Sequence, residues 1–367
     1  MHEYNDDRIF ERAAKGLNFL NHRVILIATY PDNTKVDGIE IVGLKKRYGL
    51  FRRLFSSYEA YSKARNIPAD IFHFHDPDLM PWMLLLSMSG KKVIYDVHEN
   101  YESRFYNLPI PSIIKNYLAR VYRFVENFIV NRLSGLTVVT ESMKKLFKSV
   151  NKPIAITGNV VYLERLKSIS FEIQKESKFT IYTSGTNSSS RNCIKTIEAL
   201  PLILQRVPNV TMKFVGRYYP KDYEAKLMQR AKDLGVSKSV VIDGMIPWEE
   251  NFIRTARAHI GCVFYEDNLN NKITLPNRLF EYMYCGVAVL GEGFPEVEKV
   301  LSETGAGLIV DSSEPEMIAE KSIYVLTHPD KMYEMGQKGR KAVLEKYNYE
   351  NTLSELEDFY KGILNLA

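Results

Sequence analysis

One stretch of the chain reads Leu275-Pro276-Asn277-Arg278-Leu279-Phe280-Glu281-Tyr282-Met283-Tyr284-Cys285-Gly286-Val287-Ala288-Val289-Leu290. It predicts, in order, a loop, a helix over about residues 276–284, a turn and a buried strand over about residues 287–290. Pro276 suits the first turn of the helix, because its missing N–H costs nothing there and its fixed φ favours helix entry. Gly286 follows the apolar helical run at the position where a left-handed C-cap is preferred.

The start of this predicted helix is a candidate anion site. The first N–H groups of a helix have no acceptors within it, and the helix dipole is positive at that end, so the turn before Asn277 could hold a phosphate. Glu281 lies one turn further in, among apolar residues. Its carboxylate is either a structural hydrogen-bond acceptor or the acceptor for both hydroxyls of a ribose. The residues alone leave both interpretations open.

The same stretch resembles the P-x-K/R-L-F-E-Y-M-x-x-G-x-P/A-V segment of family 4 glycosyltransferases. These enzymes have the GT-B fold and move a sugar from a nucleotide donor to an acceptor hydroxyl. The resemblance implies that Glu281 binds the donor ribose. It also implies that the donor diphosphate meets the helix start, which is formed by Pro276, Asn277, Arg278 and Leu279.

The composition is that of a soluble globular protein. Of 367 residues, 45% are hydrophobic and 25% are charged, and no run of roughly 18 apolar residues could span a bilayer. The length allows two α/β domains, each with its own core. The first twenty residues are polar and charged, so we expect no secretory signal. Cys193, Cys262 and Cys285 are odd in number and far apart, which favours buried free thiols in a reducing cytoplasm over disulfides or a zinc cluster.

The positive charge is concentrated in the first half of the chain. Residues 1–165 carry 24 Lys and Arg against 17 Asp and Glu, a net charge of +7, whereas residues 166–367 carry 25 against 27, a net charge of −2. The two halves add to the formal +5 of the whole chain. This imbalance indicates that the first half meets something anionic.

Apolar β-branched runs alternate along the chain with longer amphipathic stretches, a pattern typical of parallel sheets with crossover helices. The runs predicted as strands in the first half are 23–29, 39–44, 71–75, 92–96, 135–140 and 154–157. Those in the second half are 179–183, 211–215, 239–243, 258–263, 287–290 and 307–310. Two sets of this kind indicate two doubly wound α/β units rather than one large sheet.

The resemblance implies that these units form a GT-B fold, with two Rossmann-like domains of doubly wound parallel sheet that face a cleft. We predict an acceptor domain over residues 1–165, a linker over 166–178 and a nucleotide-sugar donor domain over 179–345. Residues 346–367 are predicted to form a terminal helix that returns to the first domain, as the resemblance implies. Residues 7–13 resemble the family's first helix, before which relatives have a strand. Since only six residues precede this helix, the first strand is predicted to be missing.

Histidines near the ends of two predicted strands are candidate site residues of the first domain. His73 and His75 point to the same face of their strand. A metal site there is possible, but an isolated H-x-H pattern is weak evidence for one, and a binding or structural role is favoured. His98 and Glu99 follow the next strand, where open α/β sheets bind ligands. Both are either satisfied by the loop backbone or catalytic; the resemblance implies that His98 faces the transferred sugar, and Glu99 could orient His98 or the acceptor.

Small residues and arginines follow the strands of the second domain. Gly185 and Thr186 begin a serine-rich loop in which Arg191 could contact a diphosphate. The alternative is a solvated turn with an exposed arginine. The loop resembles the family's G-x-x-x-x-x-K/R-G segment, with Asn192 in place of the usual glycine. The resemblance also places two further turns near the nucleotide base; they contain Gly216, Arg217 and Ile246.

One family acid is missing. The family pairs two glutamates as E-x7-E, but the residue eight positions before Glu281 is Ile273. The missing acid normally lies beside the transferred sugar, so the donor sugar must be held differently here. The candidates for this contact are Asn270, Asn271 and Lys272, together with the backbone amides of their loop.

Two segments, 45–55 and 113–133, are both basic and aromatic. Core-packing helices with solvated cations are the ordinary interpretation. The alternative is peripheral contact with anionic lipid head groups on the inner membrane face, which suits an enzyme acting on lipid-linked acceptors. Nucleic acid is disfavoured as a partner, because no recognised binding module accompanies these segments.

The sequence thus predicts a glycosyltransferase that uses a UDP- or GDP-linked sugar as donor and a glycan or lipid-linked hydroxyl as acceptor. The resemblance implies retention of anomeric configuration, no cofactor and no essential metal ion, and polysaccharide or glycolipid synthesis as the setting. Two alternatives remain: a sugar-nucleotide 2-epimerase on the same scaffold, and a non-catalytic protein that binds nucleotide sugars or glycans. An NAD(P) enzyme is disfavoured, because no G-x-G-x-x-G follows any predicted strand.

Overall fold

The structure is a computed structural model that describes residues 4–49, 51–167, 169 and 175–366. The chain divides into two compact units. The first comprises Met1–Asn159 and Tyr349–Ala367, and the second comprises Val160–Asn348. Six of the thirteen residues of the predicted linker, namely 168 and 170–174, lie outside the described residues.

Thirteen strands are present in the described residues. In the first unit they are β1 (Ile25–Thr29), β2 (Thr34–Val36), β3 (Ile39–Leu44), β4 (Ile71–Phe74), β5 (Lys92–Val97), β6 (Gly135–Val138) and β7 (Ile154–Ile156). In the second unit they are β8 (Phe179–Asn187), β9 (Val210–Tyr218), β10 (Val240–Asp243), β11 (Ile260–Val263), β12 (Ala288–Glu292) and β13 (Gly307–Val310).

The helices of the described residues begin with a π-helical segment, Asp7–Ala14, that continues into α1 (Lys15–Phe19). Those that follow up to the unit boundary are α2 (Arg52–Ala64), α3 (Met80–Met88), α4 (Ser103–Tyr106), α5 (Ser112–Val130) and α6 (Glu141–Lys144). The remaining helices are α7 (Leu163–Leu166), α8 (Cys193–Arg206), α9 (Tyr223–Asp233), α10 (Trp248–Arg257), α11 (Asn277–Tyr284), α12 (Pro295–Thr304), α13 (Pro315–Thr327), α14 (Pro329–Glu345) and α15 (Tyr349–Leu364).

The sheets confirm the predicted α/β architecture. The second unit has one parallel sheet in the order β10-β9-β8-β11-β12-β13. The first unit has a parallel sheet in the order β4-β5-β6-β7 and a smaller sheet in the order β1-β3-β2. Each of the twelve predicted runs overlaps a strand. The sequence analysis missed β2, a short polar strand that pairs with β3 through a hairpin turn at Asp37 and Gly38, both with positive φ.

The strands of the first unit are divided between two sheets. Within the described residues, no strand of the β1-β3-β2 sheet pairs with a strand of the β4-β5-β6-β7 sheet. The predicted lack of a strand before the first helix concerns residues 1–6. Of these, residues 1–3 lie outside the described part, Tyr4 and Asn5 form a turn, and Asp6 caps the π-helical segment through its carboxylate.

The stretch 275–290 has the predicted local structure. Helix α11 begins at Asn277, and Pro276 is the capping residue before it rather than part of its first turn. Gly286 has a φ of +65°, which is the left-handed conformation predicted for the C-cap. The strand that follows, β12, is buried along its whole length, as expected for an inner strand of a parallel sheet covered on both faces.

Helix α15 belongs to the first unit. The ring Nδ1 of His73, on β4, lies 2.6 Å from the hydroxyl oxygen of Tyr360 on this helix. A Cβ on Gly135, at the start of β6, would lie 2.8 Å from the ring of Phe359. Helix α15 is therefore too close to the amino end of β6 for a side chain at position 135. The terminal helix is therefore part of the core of the first unit.

The stability of the first unit is expected to fall with acid because of His73. Burial, and next the neighbouring His75, lower the pKa of His73 to about 3. A lowered pKa in the folded state means that protons bind better to the unfolded chain, so the free energy of unfolding falls as pH drops from about 6.5 towards 3. The slope contributed by this group is at most about 1.4 kcal/mol per pH unit. Thermal midpoints measured between pH 7 and pH 4.5 should therefore change less in His73→Gln than in the unaltered protein. The matched control is His22→Gln, at an exposed histidine of the same unit, and equal slopes for all three proteins would contradict the prediction.

No helix in the described part of the chain is both long enough and apolar enough to cross a membrane.

Candidate functional site

Asp96 is the centre of a polar cluster in the first unit. It lies near the end of β5, and its side chain is 4% exposed. The Nη2 atom of Arg8 donates to Oδ1 at 3.0 Å and to Oδ2 at 3.2 Å, and Nε donates to Oδ2 at 3.2 Å. The hydroxyl of Thr137 donates to Oδ1 at 2.6 Å. The Arg8 side chain also donates to the side chains of Asn159 and Thr157. It therefore connects the first helical segment to the end of β5 and to the residues that follow β7, each more than 80 positions away.

Two histidines complete the cluster. His98 Nε2 lies 2.8 Å and His75 Nδ1 lies 2.9 Å from Asp96 Oδ2, and the two ring nitrogens are 3.1 Å apart. Burial alone would raise the pKa of Asp96, but Arg8 and the histidines outweigh it and hold that pKa well below its usual range. Burial lowers the pKa of His98, and the attraction of Asp96 offsets this only in part. A neutral His98 therefore donates its Nε2 proton to a charged carboxylate, which makes Nδ1 the acceptor nitrogen of its ring.

The carboxylate that orients His98 is Asp96, whereas the sequence analysis offered Glu99 for this task. Residues 96 and 98 are two positions apart at a strand end and so share a face, but residue 99 does not. The Glu99 carboxylate instead accepts a hydrogen bond of 2.7 Å from Arg104, in an exposed ion pair. His73 and His75 share a face, as predicted, with their ring centroids 5.2 Å apart.

Among the described residues, His75, Asp96 and His98 form a group that could hold a metal ion, since one ligand atom from each lies within 4.8 Å of the others. Two imidazoles and a carboxylate are a ligand set that zinc accepts. However, Arg8 already bonds both oxygens of Asp96, and a divalent cation would lie close to its guanidinium charge in a buried place, where like charges repel strongly. The arrangement suits a hydrogen-bond network better than a metal centre.

In the second unit, the ends of β8 and β9 approach each other at two glycines. Gly185 and Gly216 are paired in register and have φ values of +98° and +128°. A Cβ on Gly216 would lie 2.0 Å from the carbonyl oxygen of Gly185, whereas a Cβ on Gly185 would meet nothing within 4 Å. Thr186 and Arg217 form the next pair and are exposed. The predicted loop residues Gly185 and Thr186 thus belong to a longer strand, at the sheet end where open α/β proteins bind ligands.

Two arginines share one aromatic ring beside this strand end. The Cζ atom of Arg191 lies 3.8 Å from the ring centroid of Tyr265, and that of Arg278 lies 4.8 Å from it. Burial, and next the charge of Arg278, lower the pKa of Arg191 to about 8. Arg191 Nη1 and Arg278 Nε are buried and have no hydrogen-bond partner among the described residues. The two guanidinium groups make this region strongly electropositive, and their unpaired N–H groups can donate hydrogen bonds to an anion.

The start of α11 adjoins the arginine pair. Arg278 is 7% exposed and donates to the carbonyl oxygens of Ser184 and Phe264, at 3.2 and 3.1 Å, so it ties the helix start to the ends of β8 and β11. Leu279 is fully buried, and its N–H donates to the carbonyl of Pro276. Pro276, Asn277 and Glu281 are half-buried, and Ile246 is half-buried in the turn after β10. The roles of these residues towards a donor stay predictions.

Asn192 explains one departure from the family pattern. It has a φ of +49° and directly precedes α8. Asparagine is among the few residues other than glycine that adopt this left-handed conformation readily, so it can replace the usual glycine. Its side-chain amide donates to the hydroxyl of Ser312 at 2.8 Å.

The loop with the missing acid is held by its own polar side chains. Ile273 ends a short 3₁₀ segment, Asn271–Ile273. The Asn271 amide donates to the carbonyl of Glu266 at 2.8 Å, and Lys272 pairs with Asp267 at 2.7 Å. Two of the predicted donor-sugar contacts are therefore engaged within the loop.

Glu292 and Tyr265 are further candidate site residues, which the sequence did not indicate. Glu292 lies at the end of β12, is 6% exposed, and accepts from the backbone N–H groups of Tyr265 and Ser312, each at 3.2 Å. It also accepts from the Ser312 hydroxyl. Burial raises the pKa of Glu292 to about 7. The signal was an acid at the end of an apolar strand, which is unusual in a sheet interior and indicates a defined partner.

Two family models match the chain and together cover most of it. The model described as Glycosyltransferase Family 4 matches residues 8–165, and the one described as Glycosyl transferase-like matches residues 195–358. No curated protein sequence matches the chain.

Several solved structures share the fold. Sucrose-phosphate synthase from Thermosynechococcus elongatus is 12% identical, with 97% of this chain and 92% of that chain covered and a TM-score of 0.75. HepE from Anabaena, in complex with UDP and glucose, is 13% identical, with 89% and 87% covered and a TM-score of 0.68. WaaG, a glycosyltransferase involved in lipopolysaccharide biosynthesis, is 15% identical, with 99% and 97% covered and a TM-score of 0.66.

The fold and the two matched regions define a glycosyltransferase of the GT-B class. The chain belongs to the family 4, group 1 type of these enzymes.

Proposed function

We propose that this glycosyltransferase transfers a sugar from a UDP- or GDP-linked donor to a hydroxyl of a glycan or lipid-linked acceptor. The observation that carries the proposal is the arginine pair, half-buried Arg191 and buried Arg278, which share the ring of Tyr265 at the carboxyl ends of the second unit's strands. Buried guanidinium groups with unsatisfied donors favour an anion with several oxygens, and a diphosphate has that chemistry. The complex of the similar protein HepE with UDP supports the same ligand class.

The donor would lie along the strand ends of the second unit. Its diphosphate would contact Arg191 and the first N–H groups of α11, where the helix dipole adds positive potential. The open space over Gly185 leaves room for the donor to approach the backbone closely. Glu281 would accept the ribose hydroxyls, and Gly216, Arg217 and Ile246 would lie near the base.

Transfer is proposed to proceed with retention and without an essential metal ion. The bond between the anomeric carbon and the diphosphate oxygen breaks, the acceptor oxygen bonds to that carbon on the same face, and the departing oxygen takes the acceptor proton. The arginines and the helix start would stabilise the charge that develops on the diphosphate, which is the task that a metal performs elsewhere. His98, held neutral and oriented by Asp96, would bind the transferred sugar by a hydrogen bond through Nδ1.

The acceptor is proposed to be part of polysaccharide or glycolipid synthesis at the inner face of a membrane. The supporting observations are the positive charge of the first half and the similarity to WaaG, a glycosyltransferase involved in lipopolysaccharide biosynthesis. The proposed place is the cytoplasm, with peripheral contact between the first unit and anionic lipid.

Replacing Glu281 with alanine is expected to weaken UDP or GDP binding by about 1–3 kcal/mol, because a half-buried acceptor of hydrogen bonds is lost. Isothermal calorimetry with each nucleoside diphosphate measures this directly, after a thermal-shift screen has identified which one binds. The matched control is Glu298→Ala, at an exposed glutamate on α12. An affinity that Glu281→Ala leaves unchanged would remove the ribose role. Conversion of donor in the absence of any acceptor would favour an epimerase, and binding without transfer or hydrolysis would favour a non-catalytic protein.

A further inference from the structure

Helix α5 exposes an apolar stripe along its whole length. Ile113 is 83% exposed, Tyr117 66% and Phe124 71%, and these positions repeat at the spacing of one helix face. The stripe is completed by Ile114, Val121, Val125 and Phe128, all exposed. The opposite face of the helix, which contains Ala119, Ile129 and Val130, is buried in the first unit. So many exposed large apolar side chains on one helix indicate a surface that binds a membrane or another molecule.

Two neighbouring helices extend the stripe into a wider surface. Helix α3 contacts α2 through Trp82, whose ring centroid lies 5.2 Å from that of Tyr58. It also reaches the end of α5, where the Ser87 hydroxyl donates to the carbonyl of Arg132 at 2.8 Å. Exposed apolar side chains of α2 and α3 are Leu54, Phe55, Tyr58, Leu85 and Met88. We call the exposed faces of α2, α3 and α5 together the three-helix face.

The charges exposed on the three-helix face are positive. Arg52 and Arg53 flank the apolar residues of α2, Arg120 does so on α5, and Arg132 lies in the turn after α5. The guanidinium of Arg132 lies 3.5 Å from the ring centroid of Phe128. The acid of α5, Glu126, is 2% exposed and is occupied by Arg123 and Tyr122. The three-helix face thus combines exposed apolar side chains with flanking cations, and α5 has no exposed acid. This combination fits an anionic lipid surface.

We propose that the three-helix face inserts its apolar side chains into the head-group region of an anionic bilayer. This extends the membrane contact of the proposed function from the basic segments to a defined insertion surface. At about 1.5 Å per residue, the 19 residues of α5 extend for about 28 Å along the membrane plane. The buried face of α5 keeps it part of the first unit, so the helix lies in the interface and does not cross the bilayer.

A second copy of this chain is a less suitable occupant. A two-fold dimer through the three-helix face would place the same patch on both sides of the interface. The exposed arginines of α2 and α5 would then oppose their own copies, and like charges in a closing interface oppose association. Anionic lipid neutralises these cations while it takes up the apolar side chains.

Cosedimentation of the full chain with vesicles tests the proposal without any nucleotide. The vesicles are phosphatidylcholine alone or phosphatidylcholine with phosphatidylglycerol. The double variant Ile113→Ser/Phe124→Ser is expected to bind the mixed vesicles at least tenfold more weakly than the unaltered chain. The double variant Arg52→Glu/Arg53→Glu is expected to lose the preference for mixed over neutral vesicles. The matched control is Tyr333→Ser, which alters a side chain 69% exposed on α14 of the second unit and is expected to bind as the unaltered chain does.

Several outcomes would overturn the proposal. They are unchanged vesicle binding by Ile113→Ser/Phe124→Ser, equal binding of the unaltered chain to neutral and mixed vesicles, and a dimer in light scattering that the serine variants convert to a monomer. The last outcome would assign the three-helix face to a second copy. Because the altered residues are exposed, the variants are expected to keep the thermal midpoint of the unaltered chain. Calorimetry with UDP and GDP on the same samples separates failure of the membrane proposal from failure of the nucleotide proposal.

Discussion

The variant Arg8→Met is expected to lower the free energy of unfolding by about 3–5 kcal/mol, the scale of removing one partner from a buried ion pair. The Arg8 side chain is 14% exposed and that of Asp96 is 4% exposed. Without the guanidinium, the buried carboxylate keeps its hydrogen bonds from Thr137 and the histidines but loses its cation. Methionine fills a similar volume, so the loss comes from the charge and its hydrogen bonds more than from packing.

The same variant has a second readout that a purely structural role of Arg8 would not change. The charge of Arg8 helps to lower the pKa of His98, so this pKa is expected to rise in Arg8→Met, and NMR of the imidazole signals follows that titration. The matched control is Arg23→Met, which breaks an exposed pair with Glu40 in the same unit and should leave stability and the histidine titration nearly unchanged. Arg8→Met with stability within about 1 kcal/mol of the unaltered chain would show that Asp96 does not depend on this ion pair.

The variant Gly216→Ala is expected to destabilise the second unit by about 3 kcal/mol or more. Its φ of +128° is strained for any residue with a side chain, which costs about 1–3 kcal/mol. The new Cβ would also lie 2.0 Å from the carbonyl oxygen of Gly185, and a backbone atom cannot move aside without separating the ends of β8 and β9. Because the proposed donor site lies on these strand ends, affinity for UDP or GDP is expected to fall more than tenfold. Chemical denaturation and calorimetry measure the two effects.

Two other glycines separate the causes of this effect. Gly185→Ala introduces strain at a φ of +98° but no contact within 4 Å, so its cost in stability should be smaller than that of Gly216→Ala. Gly244→Ala has neither a positive φ nor a contact within 4 Å, and its stability should stay within about 0.5 kcal/mol of the unaltered chain. Equal destabilisation by all three variants would contradict the assigned close approach of the two strands.

Local patterns predicted the parallel strands because each is a short apolar run that can be recognised from its own residues. They predicted α11 and its glycine cap for the same reason. The small sheet of the first unit was not predicted, since strand pairing depends on which edges meet and not on the apolar runs themselves. The strand β2 was missed because it is short and polar, although its Asp37-Gly38 turn is a recognised hairpin signal.

The sequence suggested His98 as a candidate site residue but not Arg8 and Asp96, which surround it. Arg8 and Asp96 are 88 positions apart, and nothing in the local pattern of either residue indicates that they meet. The two-residue spacing of Asp96 and His98 could have shown that they share a face. In the second unit, Arg191 was a candidate because of its loop, whereas the Tyr265 ring that it contacts follows β11 and the Glu292 carboxylate that binds the Tyr265 N–H ends β12.

The place of α15 determines when the first unit can finish folding in the cell. Domains generally fold as they leave the ribosome, with the amino-terminal one first. Here the hydrogen bond between His73 and Tyr360, and the contact of Gly135 with Phe359, need residues translated almost last. The first unit therefore cannot complete its core until the whole second unit and α15 have been synthesised. Until then the β4–β7 sheet lacks its contacts with α15. A truncation that removes α15 from the carboxyl end of the chain would therefore expose the β4–β7 sheet, which is formed by the amino-terminal half.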